Sequence, residues 1–402
     1  MRLSYTEARD RLLERIVPVG TELIPLEDCP GRILARGLTA AEDVPPFDRS
    51  PYDGYALRSA DTLSAATETP VTLEILEEIP AGGISHVPVR AGTAVKILTG
   101  APIPPGADCV VMFEKTVFTP ETVTIRAPLR PGENIVRAGE DVKKGTVLAP
   151  AGTLIDPGLA GTLAGQNRSR TEVSRRPRVG VISTGRELLP VGAQPEAGKI
   201  LNTNQYTFCA ALRALGCGAE ALGIAGDDAE EIRLLLEKGL TDFDAVVLTG
   251  GVSVGDYDLT PEAMDRAGVE TLFRGVALKP GMGCAYGLRE GKPVCALSGN
   301  PASALTNFYA IAAPVFRKLA GWAEPVPPEI RMELADPFPK KSPVTRLLRG
   351  RLDLSEGRVR LRISADQGNV VLSSVIGCDA MAVIPGGSGP LPAGTVLAGF
   401  RL

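Results

Sequence analysis

The chain has one histidine and one tryptophan in 402 residues, and aromatic residues make up only 4%. With His86 alone, neither a Ser-His-Asp triad nor a His-rich zinc site can be assembled. His86 sits in Ile84-Ser85-His86-Val87-Pro88 between expected strands and reads as structural. Chemistry therefore falls to carboxylates, Lys, Arg, hydroxyls and backbone N–H groups. No run of 18 apolar residues occurs, so no membrane span is expected. Met1-Arg2-Leu3-Ser4 lacks the apolar core of a signal peptide. Runs of five Lys/Arg are missing, aromatics do not interleave with basic residues, and the net charge is −4; together these disfavour nucleic acid as a partner. Seven cysteines without a C-x-x-C pair point to reduced thiols in a cytoplasm, most of them small buried residues. A G-x-G-x-x-G after a strand and a G-x-x-x-x-G-K-[ST] loop are both lacking, which excludes dinucleotide and P-loop folds by motif.

Apolar residues make up 44% of the chain, enough for real cores, and the length favours two to four domains. High Gly (45) and Pro (34) suit many turns and short strands rather than long bundles. Ser4-Tyr5-Thr6-Glu7 is a capping box, followed by Ala8, Leu12, Leu13 and Ile16 on one face. It predicts an amphipathic helix ending near Val17-Pro18. From about 20 to 176 short apolar or alternating runs (71–75, 94–98, 110–113, 123–125) stand between Pro/Gly turns, a β-rich pattern with one helix over 153–165. After Arg175-Arg176-Pro177 the rhythm changes. Strands at 179–182, 219–224, 245–248 and 293–297 alternate with helices at 203–215, 229–239, from Thr260-Pro261, and at 301–319. Asn202 is the expected cap and Gly216 the stop of the first of these helices. Residues 322–328 form a Pro-rich linker, and the tail reads as a small β-barrel or sandwich with strands at 359–363 and 382–384. The expected organisation is a β-rich region at 1–176 with an inserted module around 45–144, a doubly wound α/β domain at 177–322, and a C-terminal barrel at 329–402.

The most pointed stretch is AVVLTGGVSVGDYD (245–258). A fully apolar strand empties into Thr249-Gly250-Gly251, where missing side chains let a ligand reach the backbone, and Asp256 and Asp258 follow. Two more strand ends carry similar groups: Ser183-Thr184-Gly185-Arg186-Glu187 and Ser298-Gly299-Asn300-Pro301. Open α/β sheets bind ligands at this carboxyl edge. The third strand end opens into a helix whose N–H groups favour an anion, so a phosphate-bearing ligand is expected. Asp227 and Asp228 follow another strand. Asp228-Ala229-Glu230-Glu231 fits a capping box, leaving Asp228 as a cap and Asp227 for the edge. With Glu187, Asp256 and Asp258, Asp227 suits Mg²⁺, which resolves the repulsion between an acidic cleft and an anion. Lys279-Pro280-Gly281 adds a cation. In the β-rich region, Ser50-Pro51-Tyr52-Asp53-Gly54-Tyr55-Ala56, the Thr99-Gly100 strand end and Gly139-Glu140-Asp141 are compatible with plain turns.

PYDGYA, LTGAPIPPGADCVV, GEDV, ISTGREL, TGGVSVGDYD, LKPG and SGNPAS occur in an order that resembles the molybdopterin molybdenumtransferases, bacterial relatives of the gephyrin E domain. The resemblance runs from about residue 2 to 400. It implies a four-part elongated subunit, a molybdopterin-binding α/β domain, and a homodimer whose site lies between the α/β domain of one subunit and the β-rich part of the other. It also implies that Mo from molybdate is inserted into adenylylated molybdopterin with release of AMP and with Mg²⁺ as divalent cation. Other molybdenum cofactor biosynthesis proteins are possible partners. Asp53, Thr99, Asp141, Glu187, Asp227 and Asp258 fall at site positions, and Lys279 is the first Lys of the family's K-P-G-K-P. Met282 replaces the second Lys, leaving Arg274 or another base to substitute, and Tyr52 stands where Met is usual. Arg346 and Arg349 are candidates to approach ligand.

The implied division of labour gives pterin and phosphate to Gly250, Gly251 and Ser298, Gly299 and Asn300 with Pro301, joined by Ser183, Thr184, Glu187 and Ser253. Asp227 and Asp258 hold Mg²⁺. Asp53 or Asp141, with Thr99, serves the attacking oxygen, and Lys279 offsets anionic charge. Two rival readings are a molybdopterin adenylyltransferase and a non-catalytic scaffold; the β-rich modules and tail favour insertion over the first, and the lack of a long disordered segment disfavours the second.

Overall fold

A computed structural model of the chain describes residues 2–252 and 259–402. It separates into two compact units: Met1–Arg36, Ala151–Ala160 and Arg170–Leu402 form one, Gly37–Pro150 and Gly161–Ser169 the other.

The larger unit is built on a six-stranded sheet in the order Gly218–Ala225, Arg178–Thr184, Ala245–Thr249, Lys292–Leu297, Cys284–Arg289, Glu270–Arg274. The first four strands are parallel, as their alternation with helices requires. The last two run antiparallel and extend the sheet beyond the doubly wound part that the sequence pattern predicts. Strand alternation divides the core. Val179, Val181, Ala245 and Val247 face one layer with Phe208, Leu212 and Phe308, while Ile182, Val246 and Leu248 face another with Ile232 and Leu236. Each fully buried aliphatic side chain contributes about 1.5–3 kcal/mol.

The helices follow their local signals. In α1 (Tyr5–Leu13) Ser4 Oγ accepts from the Glu7 N–H at 3.2 Å and Glu7 accepts from the Ser4 N–H at 2.8 Å, which is the expected capping box. It stops at Leu13, short of Val17. α2 covers Pro157–Gly165 rather than 153–165, because Asp156 accepts from the Leu159 N–H at 2.8 Å and fixes the start there. α3 (Thr203–Ala214) has Asn202 as its cap. α4 runs Ala229–Asp242, and Asp228 caps it by accepting from Glu230 and Glu231 N–H at 2.8 and 3.0 Å. The reciprocal half of that capping box is not made: Glu231 accepts from the Gly226 N–H instead, at 2.8 Å. α5 is Thr260–Arg266, with Pro in its first turn. The helix expected over 301–319 is interrupted: α6 (Pro301–Asn307) and α7 (Ala313–Leu319) flank a π-turn at Phe308–Ala312. Pro314 lacks the N–H that an unbroken helix needs, and the widened turn accommodates its ring.

The tail closes a five-stranded barrel: Thr345–Asp353, Arg360–Ile363, Ile330–Leu334, Val396–Arg401 and Ala380–Ile384, which pairs back on the first. The short strand Leu278–Lys279, from the α/β part, adds to this barrel beside Thr345 and Arg346.

The smaller unit has its own six-stranded sheet, ordered Cys109–Met112, Gly54–Leu57, Thr93–Ile97, Val71–Ile79, Thr122–Ile125, Thr116–Phe118. Tyr55 and Leu57 pack on one side of it, and Ala56, Val95 and Ile97 on the other. Among the described residues no helix is long and apolar enough to cross a membrane.

Candidate functional site

Parallel strands end their carboxyl edge together, so loops distant in sequence meet. Thr184, Glu187, Thr249, Gly251, Lys279, Ser298, Gly299, Asn300 and Pro301 line one cleft of about 660 Å³ in the larger unit. The glycines at its base are required by geometry. Gly250 has φ +105°, and a Cβ there would lie 2.4 Å from the Thr184 carbonyl oxygen. Gly251 has φ +62°, and a Cβ there would lie 2.7 Å from Thr260 Oγ1. Both are left-handed positions packed against backbone or hydroxyl, so side chains are excluded; Gly251 presents its backbone to the cleft, while Gly250 packs behind it against Thr184 and is not among the lining residues.

Ser183 is not brought to the surface of that cleft. It is fully buried, and its Oγ donates to Asn202 Oδ1 at 3.0 Å, orienting the residue that caps α3. Thr184 Oγ1 donates to the Thr249 carbonyl at 3.3 Å, which ties two of the strand ends together. At the third, the Asn300 side chain makes no cap bond, and its N–H donates to Ser298 Oγ at 3.2 Å. The expected grip of the helix start on an anion is smaller than the sequence suggests. Pro301 has no N–H, and that of Ser303 is taken by the Asn369 carbonyl at 3.0 Å.

Asn369 and Val370 of the tail also line the cleft. They are held there by Arg349, which is fully buried and donates to the Gly368 carbonyl at 3.2 Å and Ser374 Oγ at 3.1 Å. Arg349 thus braces the cleft wall and is not among its lining residues. Arg346 lies over the Phe338 ring at 5.3 Å and donates to Ser342 Oγ.

Asn204 was not foreseen. It is nine-tenths buried, lines the cleft, and donates from Nδ2 to the Gly299 carbonyl at 2.9 Å. Its Oδ1 has no partner among the described residues, which leaves one buried acceptor for a ligand N–H. The only sequence signal is a second Asn two positions after the cap. Met282 lines the same cleft. Arg274 does not replace the missing lysine, because it pairs with Asp265 at 2.7 Å; instead Arg2 brings Nη1 to 2.8 Å from Met282 Sδ.

Of the acids, Asp227 carries an ion pair to Arg186 Nε at 3.7 Å. Among the described residues no three His, Cys, Asp or Glu form a metal cage. Glu187 and Asp227 are hard oxygen donors on adjoining loops. Glu187 lines the cleft, whereas Asp227 is not among its lining residues. Ser253, Asp256 and Asp258 lie outside the described residues.

In the smaller unit Asp53 and Thr99 meet. Asp53 Oδ1 accepts from both the N–H and the Oγ1 of Thr99, each at 2.7 Å. These bonds, first the hydroxyl's and then the amide's, hold the Asp53 carboxyl below its ordinary value. The depressed value favours folding above the unfolded pKa, and this contribution fades as pH falls through the folded one. Thr99→Val removes the hydroxyl and keeps the amide, so the Asp53 pKa should rise toward the ordinary carboxylate value; carbon-detected NMR titration of the carboxyl measures it. Asp141 is an exposed turn residue whose N–H donates to the Val44 carbonyl at 3.0 Å.

Glycine-bared strand ends, a lysine on a barrel edge and a buried free acceptor define a multidomain α/β protein with one polar cleft at the carboxyl edge of its sheet. Three family descriptions match the chain in series: MoeA N-terminal region (domain I and II) over 3–166, probable molybdopterin binding domain over 180–318, and MoeA C-terminal region (domain IV) over 331–398. The molybdopterin molybdenumtransferase of Staphylococcus epidermidis is 35% identical across 98% of this chain and 94% of its own length. That of Staphylococcus aureus is 35% identical across 96% and 93%. The crystal structure of the molybdopterin biosynthesis moeA protein from Pyrococcus horikoshii OT3 covers 100% of both chains, with TM-score 0.86 and 30% identity. The chain belongs to the molybdopterin molybdenumtransferase family, a family of transferases.

Proposed function

We propose that this protein inserts the molybdenum of molybdate into adenylylated molybdopterin and releases AMP, as a step of molybdenum cofactor biosynthesis. The observation that carries the reading is the convergence of three strand ends and Lys279 on one cleft of about 660 Å³, in a chain 35% identical to named molybdenumtransferases. Its size suits a pterin with its phosphates. Backbone at Gly251 and Ser298 to Asn300 receives the pterin and phosphate, and the free Asn204 Oδ1 accepts an N–H of the pterin ring. Lys279 offsets the charge of molybdate. Glu187, Asp227 and Asp258 would hold Mg²⁺, which when bound withdraws negative charge from the phosphates. Asp53, ionised and fixed by Thr99, orients or deprotonates the attacking oxygen; Asp141 is the second candidate for that role. In this reading both acids come from the second subunit of a homodimer, and the seven cysteines, all free, suit a reducing cytoplasm.

The test is incubation of the pure chain with adenylylated molybdopterin, Mg²⁺ and molybdate, following AMP. Release should depend on molybdate, stop with EDTA and resume with excess Mg²⁺. AMP release indifferent to molybdate, or adenylylation of free molybdopterin by ATP, would replace this reading with an adenylyltransferase. Absence of any turnover by the folded dimer would favour a scaffold.

A further inference from the structure

A second cavity of the larger unit, about 360 Å³, has no part in the cleft. Five arginines line it (Arg32, Arg175, Arg176, Arg213 and Arg317) together with Trp322, and no carboxylate does among the described residues. Two of the five are already neutralised. Arg32 pairs with Glu22, and Arg175 with Asp244 at 2.7 Å. The other three have no acidic partner among the described residues. Arg213 donates to the Ala219 carbonyl at 2.8 Å, whereas the side chains of Arg176 and Arg317 have no hydrogen-bond partner there. Arg317 is half-buried, and burial pulls its guanidinium below the ordinary value, opposed only in part by Tyr309.

An uncompensated guanidinium held partly out of water is costly in the free protein. The end of α3 beside it does not supply the missing negative charge. Its last carbonyls are closed off: Leu215 N–H donates to Ala211, Gly216 N–H to Arg213, and Cys217 N–H to Leu212. What remains is a concave surface with an excess of three positive charges and one indole. Guanidinium forks match the oxygens of phosphate groups in pairs, and an indole offers an apolar face next to them.

We propose that this cavity is a second anion site, which takes a compact diphosphate group, either inorganic pyrophosphate or the phosphates of a nucleotide. Arg213 and Arg317 grip the diphosphate from two sides, with Arg176 at the rim. Trp322 stands next to Arg317, its backbone N–H donating to the Arg317 carbonyl at 3.1 Å.

Trp322 is the chain's one tryptophan, so its fluorescence reports on this cavity alone. The full chain is titrated with pyrophosphate and separately with ADP, at constant ionic strength. A saturable change is expected with both; equal affinities assign recognition to the diphosphate, and tighter ADP assigns an added contribution to the base against Trp322. Arg213→Met/Arg317→Met should weaken binding about tenfold or more. Should that variant misfold, Arg176→Ala/Arg213→Ala, at exposed positions, should weaken it several-fold. Lys279→Ala, in the cleft, should leave the titration unchanged, which separates this inference from the proposed reaction. A non-saturable signal, unchanged affinity in the folded arginine variants, or loss of the signal in Lys279→Ala overturns the proposal. So does a dimer that falls apart in Arg317→Met, because a partner's acids would then fill the cavity.

Discussion

Asp53→Ala lowers molybdate-dependent AMP release by about 10²-fold or more if Asp53 handles the proton of the attacking oxygen. The carboxylate is fixed for such a role. Its backbone carbonyl accepts from the Phe113 N–H at 3.1 Å, and Ser50 Oγ donates to the Tyr52 carbonyl at 2.6 Å. The turn is therefore set before any ligand arrives; alanine keeps these two bonds but also removes the pair that Thr99 donates to the carboxylate, so Asp53→Asn, which keeps an acceptor for Thr99, is the companion variant that separates loss of the acid from loss of the tie. Lys279→Ala, at the other half of the proposed site, should be comparably inactive. Mixed after denaturation and refolding, the two dead variants should recover about a quarter of wild-type turnover, because half of the random dimers keep one intact site of two. No recovery in verified mixed dimers would place both residues in one subunit's site and refute a shared pocket. Unchanged turnover in a folded Asp53→Ala dimer would remove Asp53 from the chemistry.

Gly250→Ala should cost about 3 kcal/mol, from left-handed strain together with the collision of its Cβ at 2.4 Å from the Thr184 carbonyl. Gly198 provides the contrast. It has φ +76° with nothing within 4 Å of a Cβ, so alanine there costs only the strain, about 1 kcal/mol. Urea unfolding followed by far-ultraviolet circular dichroism measures both, read as a shift of midpoint at constant slope. Equal losses at the two positions would show that the Thr184 loop yields, and that close packing of the strand ends does not shape the cleft. Ligand affinity should fall in Gly250→Ala and stay intact in Gly198→Ala.

Much of this site is legible in the sequence because its strands are buried on both faces. Ala245-Val246-Val247-Leu248 admits one reading, and the glycines after it mark where the backbone opens. Caps are equally local: Ser4, Asn202 and Asp228 each act within a few residues of themselves. What escaped reading depends on distant contacts. The antiparallel strands Glu270–Arg274 and Cys284–Arg289 carry no clear alternation, since most of the second is buried on both faces. Asn204 looks like any polar residue in the first turn of a helix until its neighbour Gly299 is known. Arg349 is the sharper case. An arginine is expected in solvent, and its complete burial follows only from carbonyl and hydroxyl acceptors supplied by 306, 368 and 374. The chemistry of Asp53 and Asp141 was reached through family resemblance, because the turns that hold them are ordinary ones.

Leu278 and Lys279 leave the α/β part and hydrogen-bond as a strand of the tail's barrel. The cleft's cation is thereby mounted on borrowed scaffolding. A chimera that exchanged the last seventy or so residues for a homologue's would have to preserve the register of Leu278 on Thr345, or the ammonium would move by a strand step of about 3.3 Å. A change in the tail that shifts this register should therefore move the charge in the pocket, and the two modules are expected to change as a matched pair.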